Sequence, residues 1–295
     1  AADHRAEHLL VGVPELTHPR VRVVRGDAPG GKPGALNAGV RAAAGEVLIF
    51  TDTSQRFAPT AIAELVHALR GEQWGAISGA LRLPGDDGHP SLVERYWRFE
   101  RWLRRAEARW HSAVGVTGAI YAMPRALWAP LPEDLILDDV FVPMRLVLAG
   151  RRVGFTDRAI ARDDRRTEPD QEFRRKVRTL TGNIQLCAWM PGVLVPWRNP
   201  IWLQFVSHKL LRLLTPYLVV LALLAGAWLA AVHARPATMP VQRWAWLLPL
   251  AAGVLLVPAP RRRLVSAVHW CAMMQAAVVV ATVNGLRGRW DVWRA

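Results

Sequence analysis

Gly30-Gly31-Lys32-Pro33-Gly34-Ala35-Leu36-Asn37-Ala38-Gly39, followed shortly by Glu46-Val47-Leu48-Ile49-Phe50-Thr51-Asp52-Thr53-Ser54, decides how the chain folds. The first stretch is a glycine- and proline-rich loop running into an Ala-rich helix near Ala35–Ala44. The second is an apolar, β-branched run that ends on a carboxylate. Ahead of them Val21–Val24 reads as a short strand, and behind them a helix begins after Pro59. Strand, helix, strand, helix predicts an α/β domain with a mainly parallel sheet, whose ligands lie beyond the carboxyl ends of its strands. Asp52 stands at such an end.

Further along, Gly75–Leu83 reads as another strand. Ser91–Trp110 reads as a long helix capped by Ser91, with charges that suit a solvated face. Thr117–Met123 reads as a strand beside a glycine pair. Leu137–Ala149 reads as a helix with Asp138 and Asp139 at its start, where the helix dipole favours carboxylates whatever their role. Glu168–Met190 reads as a further helix with a basic first half.

Hydrophobic residues make up 52% of the 295 positions and 14 of them are Trp, an excess that the last third of the chain explains. Leu213–Val232, Trp244–Pro260 and Leu264–Leu286 contain no Asp, Glu, Lys or Arg. A helix of about 20 residues rises roughly 30 Å, the thickness of a bilayer's hydrocarbon core, so the three runs are expected as membrane spans. Ile201–Arg212 interleaves apolar with polar and basic residues, as either an interface helix or the start of the first span would. The expected organisation is a globular domain over 1–199, an interface helix over 200–212, and a membrane domain over 213–295 with spans at 213–232, 244–260 and 264–286.

A formal charge of +14 raises the question of nucleic acid, but the arginines are dispersed and no nucleic-acid module accompanies them. Arg261, Arg262 and Arg263 suit a cytoplasmic loop between the second and third spans. Arg287, Arg289 and Arg294 leave the topology of the last span open. Cys187 and Cys271 are not expected to pair, in keeping with a reducing compartment. Ala1–Arg25 is polar and mixed, without a signal sequence, and the chain starts without Met, as a piece of a longer protein would.

The Lys32 to Gly39 loop and the strand ending at Asp52 resemble, in order and separation, the GKxxALNxG and DxD regions of the family 2 glycosyltransferases. Leu137-Asp138-Asp139-Val140 resembles that family's acidic pair. Gly115-Val116-Thr117-Gly118-Ala119-Ile120-Tyr121-Ala122 resembles its acceptor-side strand, and Arg175-Lys176-Val177-Arg178-Thr179 resembles its Q/RxxRW signature. The resemblance runs from Val21 through the tail and implies a GT-A fold, Rossmann-like, followed by C-terminal transmembrane helices. It also implies an integral protein of the cytoplasmic membrane with the transferase domain on the cytoplasmic side.

By position the resemblance makes Asp139 the general base for the acceptor hydroxyl, Asp138 its orienting neighbour, and Arg178 the group that assists the departing diphosphate. Lys32, Gly31, Asn37, Asp52 and Arg175 would bind the nucleotide-sugar donor, Gly118 and Thr117 the acceptor. Asp52 with Ser54 would hold Mg²⁺ or Mn²⁺. The implied reaction is inverting transfer of a hexose to a polysaccharide or a lipid-linked acceptor, with membrane lipid as a further partner. Ser54 stands where the family has a second carboxylate, and Thr179 where polymer-forming members have Trp. The family's first two strands would precede Ala1. The departures leave open a single-addition transferase, a truncated fragment, or a catalytically silent membrane partner.

Overall fold

Phe50 and Tyr121 stack with ring centroids 4.5 Å apart, and the strands that carry them form one margin of the sheet. A computed structural model describes residues 18–27, 30–53, 55–83, 92–163, 169–233 and 258–291. Helix α1 (Lys32–Ala42) leads into β1 (Val47–Phe50). After β2 (Arg56–Phe57) come α2 (Ala61–Ala68), β3 (Trp74–Arg82), α3 (Leu92–Trp110), β4 (Tyr121–Pro124), α4 (Asp138–Leu148) and β5 (Arg152–Arg162). Helix α5 (Pro169–Trp189) precedes a continuous helical rod. The rod comprises α6 (Trp202–Phe205), a π turn (Val206–Leu210) and α7 (Leu211–His233); α8 (Pro258–Leu286) follows later in the chain.

Among the described residues the strands run in the order β1-β4-β3-β5-β2. β3 pairs parallel with β5, whereas β1 with β4, β3 with β4 and β2 with β5 are antiparallel. The sheet is therefore mixed, not mainly parallel. The reason lies in α3: β3 ends and β4 begins at the same end of the sheet, so the helix between them does not carry the chain back across it. β4 then runs against both neighbours, with Phe50 opposite Tyr121 and Ser78 opposite Tyr121.

Val21–Val24 forms no strand among the described residues, and Val21, Val23 and Val24 are exposed. No described strand lies alongside to satisfy its backbone. Thr117–Met123 is divided: Thr117 and Gly118 belong to the loop that enters β4. β5, which the sequence reading did not mark, pairs with β3 and β2, and buries Val153, Ala159 and Ala161.

The apolar faces of β1, β3, β4 and β5 meet α4 in the main core, where Tyr121, Met123, Val142, Met144 and Val153 are buried. Helix α3 is not simply solvated. Tyr96, Glu100 and Glu107 share one stripe at helical spacing, and both Glu100 and Glu107 are only 4% exposed. Phe99, Trp102 and Trp110 lie off that stripe and are exposed.

Residues 202–229 and 268–286 are long and apolar enough to cross a membrane. Only 6% of the most apolar 18-residue window of the first stretch is buried within the protein, which a core helix of a water-soluble domain would not tolerate. At its start the rod is held by the globular domain, since Gln204, Phe205, His208 and Lys209 are buried. Residues 200–212 thus pass directly into the rod. The proposed span at 244–260 lies outside the described residues except for its last three. Arg261–Arg263 fall inside α8 and not in a loop, because the helix already starts at Pro258. Ala277, Val278 and Ala281 of α8 pack against Leu180 of α5.

Candidate active site

Asp52 lies two residues beyond β1, and its carboxylate faces Lys32 from the start of α1, Oδ1 to Nζ 3.6 Å. The same ammonium is 3.0 Å from Oδ1 of Asp138, the first residue of α4. Gly31 is the N-cap of α1 with φ 90°, a left-handed conformation that glycine adopts without strain. The turn it makes delivers Lys32 to the carboxylates. Gly118 faces them from the loop before β4: a Cβ there would sit 3.3 Å from the Lys32 nitrogen and 3.6 Å from an Asp52 oxygen. A side chain at that position would crowd Lys32 and Asp52.

The acidic pair is fixed by its backbone. Val116 N donates to Asp139 O at 2.9 Å. Ile136 N donates to Gln185 Oε1 at 2.9 Å, and Gln185 Nε2 donates to Asp134 O at 2.8 Å, so α5 clamps the turn that leads into α4. Gly182 lets α5 approach Leu137, whose side chain a Cβ there would strike. The same helix brings Arg178 to the cavity.

Asp138 is buried, with its side chain 8% exposed, whereas Asp139 is partly exposed and lines the cavity. Burial pushes the Asp138 carboxyl above the usual carboxylate range, and the attraction of Lys32 does not cancel it. Burial pulls the Lys32 ammonium down, yet Asp138, Asp139 and Asp52 together hold it above its ordinary value. Burial also depresses the Arg178 guanidinium, opposed chiefly by Asp139. Asp138 is thus the structural anchor of Lys32. Asp139 is the acid with room to meet a substrate.

These groups line one end of a cavity of about 320 Å³. The other end draws on α3, α5 and the rod: Tyr96, Trp97, Glu100, Arg104, Arg175, Lys176, Thr179, Lys209 and Arg212. Arg212 Nη2 donates to Glu100 Oε1 at 2.8 Å, and Tyr96 Oη donates to the same oxygen at 2.5 Å. His208 lies between Glu107 at 2.6 Å and Glu100 at 3.0 Å. Arg175 donates to Glu172 at 2.5 Å and covers the Trp97 ring at 5.0 Å. Lys176 is 3.6 Å from Glu172 and 3.8 Å from the centre of the Tyr96 ring, and burial lowers its ammonium to about 8.

Of the residues picked out from sequence, Lys32, Asp52, Asp138, Asp139, Thr117, Gly118, Arg175 and Arg178 line this cavity. Asn37 does not. Its amide is closed on the Leu131 main chain, donating at 2.9 Å and accepting at 2.8 Å, so it ties α1 to the loop before α4. Gly31 acts through backbone shape. Ser54 lies outside the described residues. Sequence reading missed Tyr96, Trp97, Glu100, Arg104, Lys209 and Arg212; the stripe 96, 100, 107 was the available signal.

Among the described residues no three His, Cys, Asp or Glu side chains gather to hold a metal ion. Asp52, with its side chain 47% exposed toward the cavity, still offers a hard oxygen. That suits Mg²⁺ or Mn²⁺, which take one or two carboxylates and draw the remaining ligands from phosphate and water.

The family model described as Glycosyltransferase like family 2 matches residues 12–182. No curated protein sequence matches the chain. Among solved structures, a mannosyltransferase from Pyrobaculum calidifontis in complex with GDP-Man and Mn²⁺ is 24% identical with a TM-score of 0.57. The match covers 87% of this chain and 66% of that one. Glucosyl-3-phosphoglycerate synthase from Mycobacterium tuberculosis, in complex with Mn²⁺, UDP and its product, is 17% identical with a TM-score of 0.38. That match covers 55% of this chain and 56% of the other. The chain therefore spans from about half to just under two thirds of the length of these proteins.

Proposed function

The chain belongs to the glycosyltransferase-like family 2 and has the GT-A fold, and from this we propose that it moves a hexose from a nucleotide-sugar donor to an acceptor with inversion at the anomeric carbon. The observation that carries the reading is the convergence of Lys32, Asp52, Asp139 and Arg178, from four separate elements, on one cavity.

A nucleotide sugar leaves behind a diphosphate, so negative charge grows on the oxygen next to the phosphorus as the bond to the sugar breaks. Lys32 and Arg178 meet that charge from α1 and α5. Asp138 holds the Lys32 ammonium in place at 3.0 Å. Asp139, partly exposed at the acceptor side, accepts the proton of the attacking hydroxyl. Gly118 and Thr117 give the acceptor close access to the backbone. Asp52 would hold Mg²⁺ or Mn²⁺, which supplies charge neutralisation on the diphosphate when bound. The two apolar helices support a membrane anchor, with the catalytic domain on the cytoplasmic side where nucleotide sugars are made.

The test is release of nucleoside diphosphate from a panel of nucleotide sugars by the full chain in detergent with Mn²⁺ and lipid extract as acceptor source. Asp139→Asn should lower turnover by roughly 10²-fold while nucleotide affinity stays within a few fold. Equal turnover in the variant, or no release from any donor, overturns the reading.

A further inference from the structure

The Tyr121 side chain is only 1% exposed, and its hydroxyl has no hydrogen-bond partner among the described residues. Buried hydroxyls are normally paired, and an unpaired one costs about as much as a lost hydrogen bond. Beside a reaction site, such an orphan points to a bond made in another state of that site. The ring is held where it is. Tyr121 stacks on Phe50 at 4.5 Å, and Phe50 stacks on Trp128 at 5.3 Å. Tyr121 also opens β4 between Phe50 and Ser78, and Ser78 Oγ accepts from Thr117 N at 3.0 Å, which ties down the loop before the ring.

The hydroxyl's surroundings are negative. Burial, and then the charges of Asp138, Asp139 and Asp52 in that order, push the phenol well above the ordinary tyrosine value, so it stays an O–H donor. Asp138, Phe141 and Arg145 follow one face of α4 at helical spacing. Arg145 is engaged elsewhere, donating to Ala129 O at 2.9 Å with its guanidinium 5.9 Å from the centre of the Phe141 ring. Asp52 and Asp139 are open to the cavity, whereas Asp138 is buried and depends on the Lys32 ammonium at 3.0 Å. A bound diphosphate competes for that ammonium. As Lys32 shares its charge with phosphate oxygens, the Asp138 carboxylate loses compensation that water cannot restore at a buried position.

We propose that Tyr121 is a positioning residue of the donor site: once a diphosphate engages Lys32, the Asp138 carboxylate turns toward the ring and accepts a hydrogen bond from the Tyr121 hydroxyl. The bond keeps Asp138 in place, so Lys32 stays anchored while it serves a second anion. This rests on the transferase reading above and deepens it by naming the group that holds the donor-binding lysine's anchor when the site fills.

Tyr121→Phe keeps the ring and its stacking and removes only the hydroxyl. The test measures thermal unfolding, and equilibrium binding of GDP and UDP in Mn²⁺, on full chains in detergent. Without nucleotide, Tm should stay within about 2 °C of wild type, because deleting an unpaired buried hydroxyl is nearly neutral. The nucleotide that wild type binds should bind roughly tenfold more weakly, the worth of one hydrogen bond to a charged group. In Asp138→Asn, which carries no charge at that position, adding Tyr121→Phe should cost at most about twofold, a coupling that a merely structural hydroxyl would not show. Equal affinity in Tyr121→Phe and wild type overturns the proposal. So does the same tenfold cost in the Asp138→Asn background, since the hydroxyl would then act on another group. Both of those results leave the transferase reading standing. Failure of wild type to bind either nucleotide would overturn that reading, and the role of Tyr121 with it.

Discussion

Replacing Lys32 with Met leaves Asp138 in the wall of the cavity with its side chain 8% exposed and its partner at 3.0 Å gone. Breaking a buried pair from one side costs about 3–5 kcal/mol. Lys32 is itself 32% exposed, so water screens part of the pair and the low end, about 3 kcal/mol, applies. At about 2–4 °C per kcal/mol for a domain of this size, Tm should fall by roughly 6–12 °C.

The loss must depend on pH. Burial holds the Asp138 carboxyl above its ordinary 3.8, so the folded state keeps that proton more tightly than the unfolded chain. Stability then falls as pH climbs from 3.8 through the folded value, and removing Lys32 extends that window upward. Lys32 is held above its ordinary 10.5, so its own contribution is fully present below that pH and stays constant across the assay. Thermal unfolding of full chains in detergent at pH 5 and pH 8 reads the effect. Lys32→Met should lose more at pH 8, and Lys32→Met with Asp138→Asn should recover most of the loss. An equal fall at both pH values, or no recovery in the double variant, would refute the role given to Asp138.

Gly118→Val should cut turnover roughly 10²-fold, through loss of positioning at the reacting groups, while Tm changes little; an unchanged rate would show that Gly118 does not border the substrate. The full chain should stay with the membrane fraction at high salt and come out only with detergent, and recovery in the aqueous phase would show α7 and α8 to be misread as spans. Glu107→Gln should lower stability by about 1–3 kcal/mol, read as a fall in Tm, because His208 loses a charged partner at 2.6 Å; an unchanged melt would show that this contact does not hold α3 to the rod.

The acid end of the cavity was legible because its signals are local. A glycine at a helix start, a carboxylate just past a β-branched run and an acidic pair at a helix N-terminus each lie within a few residues. The basic end was not, since Tyr96 meets Arg212 across 116 positions and Glu107 meets His208 across 101. Glu100 and Glu107 looked like solvent charges until the rod supplied partners. β5 escaped because Arg152–Arg162 mixes charges with small residues, and its burial comes from β3 alongside and not from its own pattern. The antiparallel course of β4 was equally hidden, because sequence order says nothing about which end of the sheet a loop returns to. Asn37 matched a motif for donor binding but was claimed by the Leu131 backbone, a contact across 94 positions.

The claim on which the rest depends is that the cavity between Lys32, Asp52 and Asp139 binds a nucleotide-sugar diphosphate with a divalent cation. The measurement is calorimetric titration of GDP and UDP into the full chain, with Mn²⁺ or with EDTA, for wild type, Asp52→Ala and Ser54→Asp. At least one nucleotide should bind in Mn²⁺, weaken roughly tenfold or more in EDTA or in Asp52→Ala, and bind at lower Mn²⁺ in Ser54→Asp, which adds a second carboxylate two positions after Asp52. Binding that ignores both EDTA and Asp52→Ala, or no binding of either nucleotide, would contradict it.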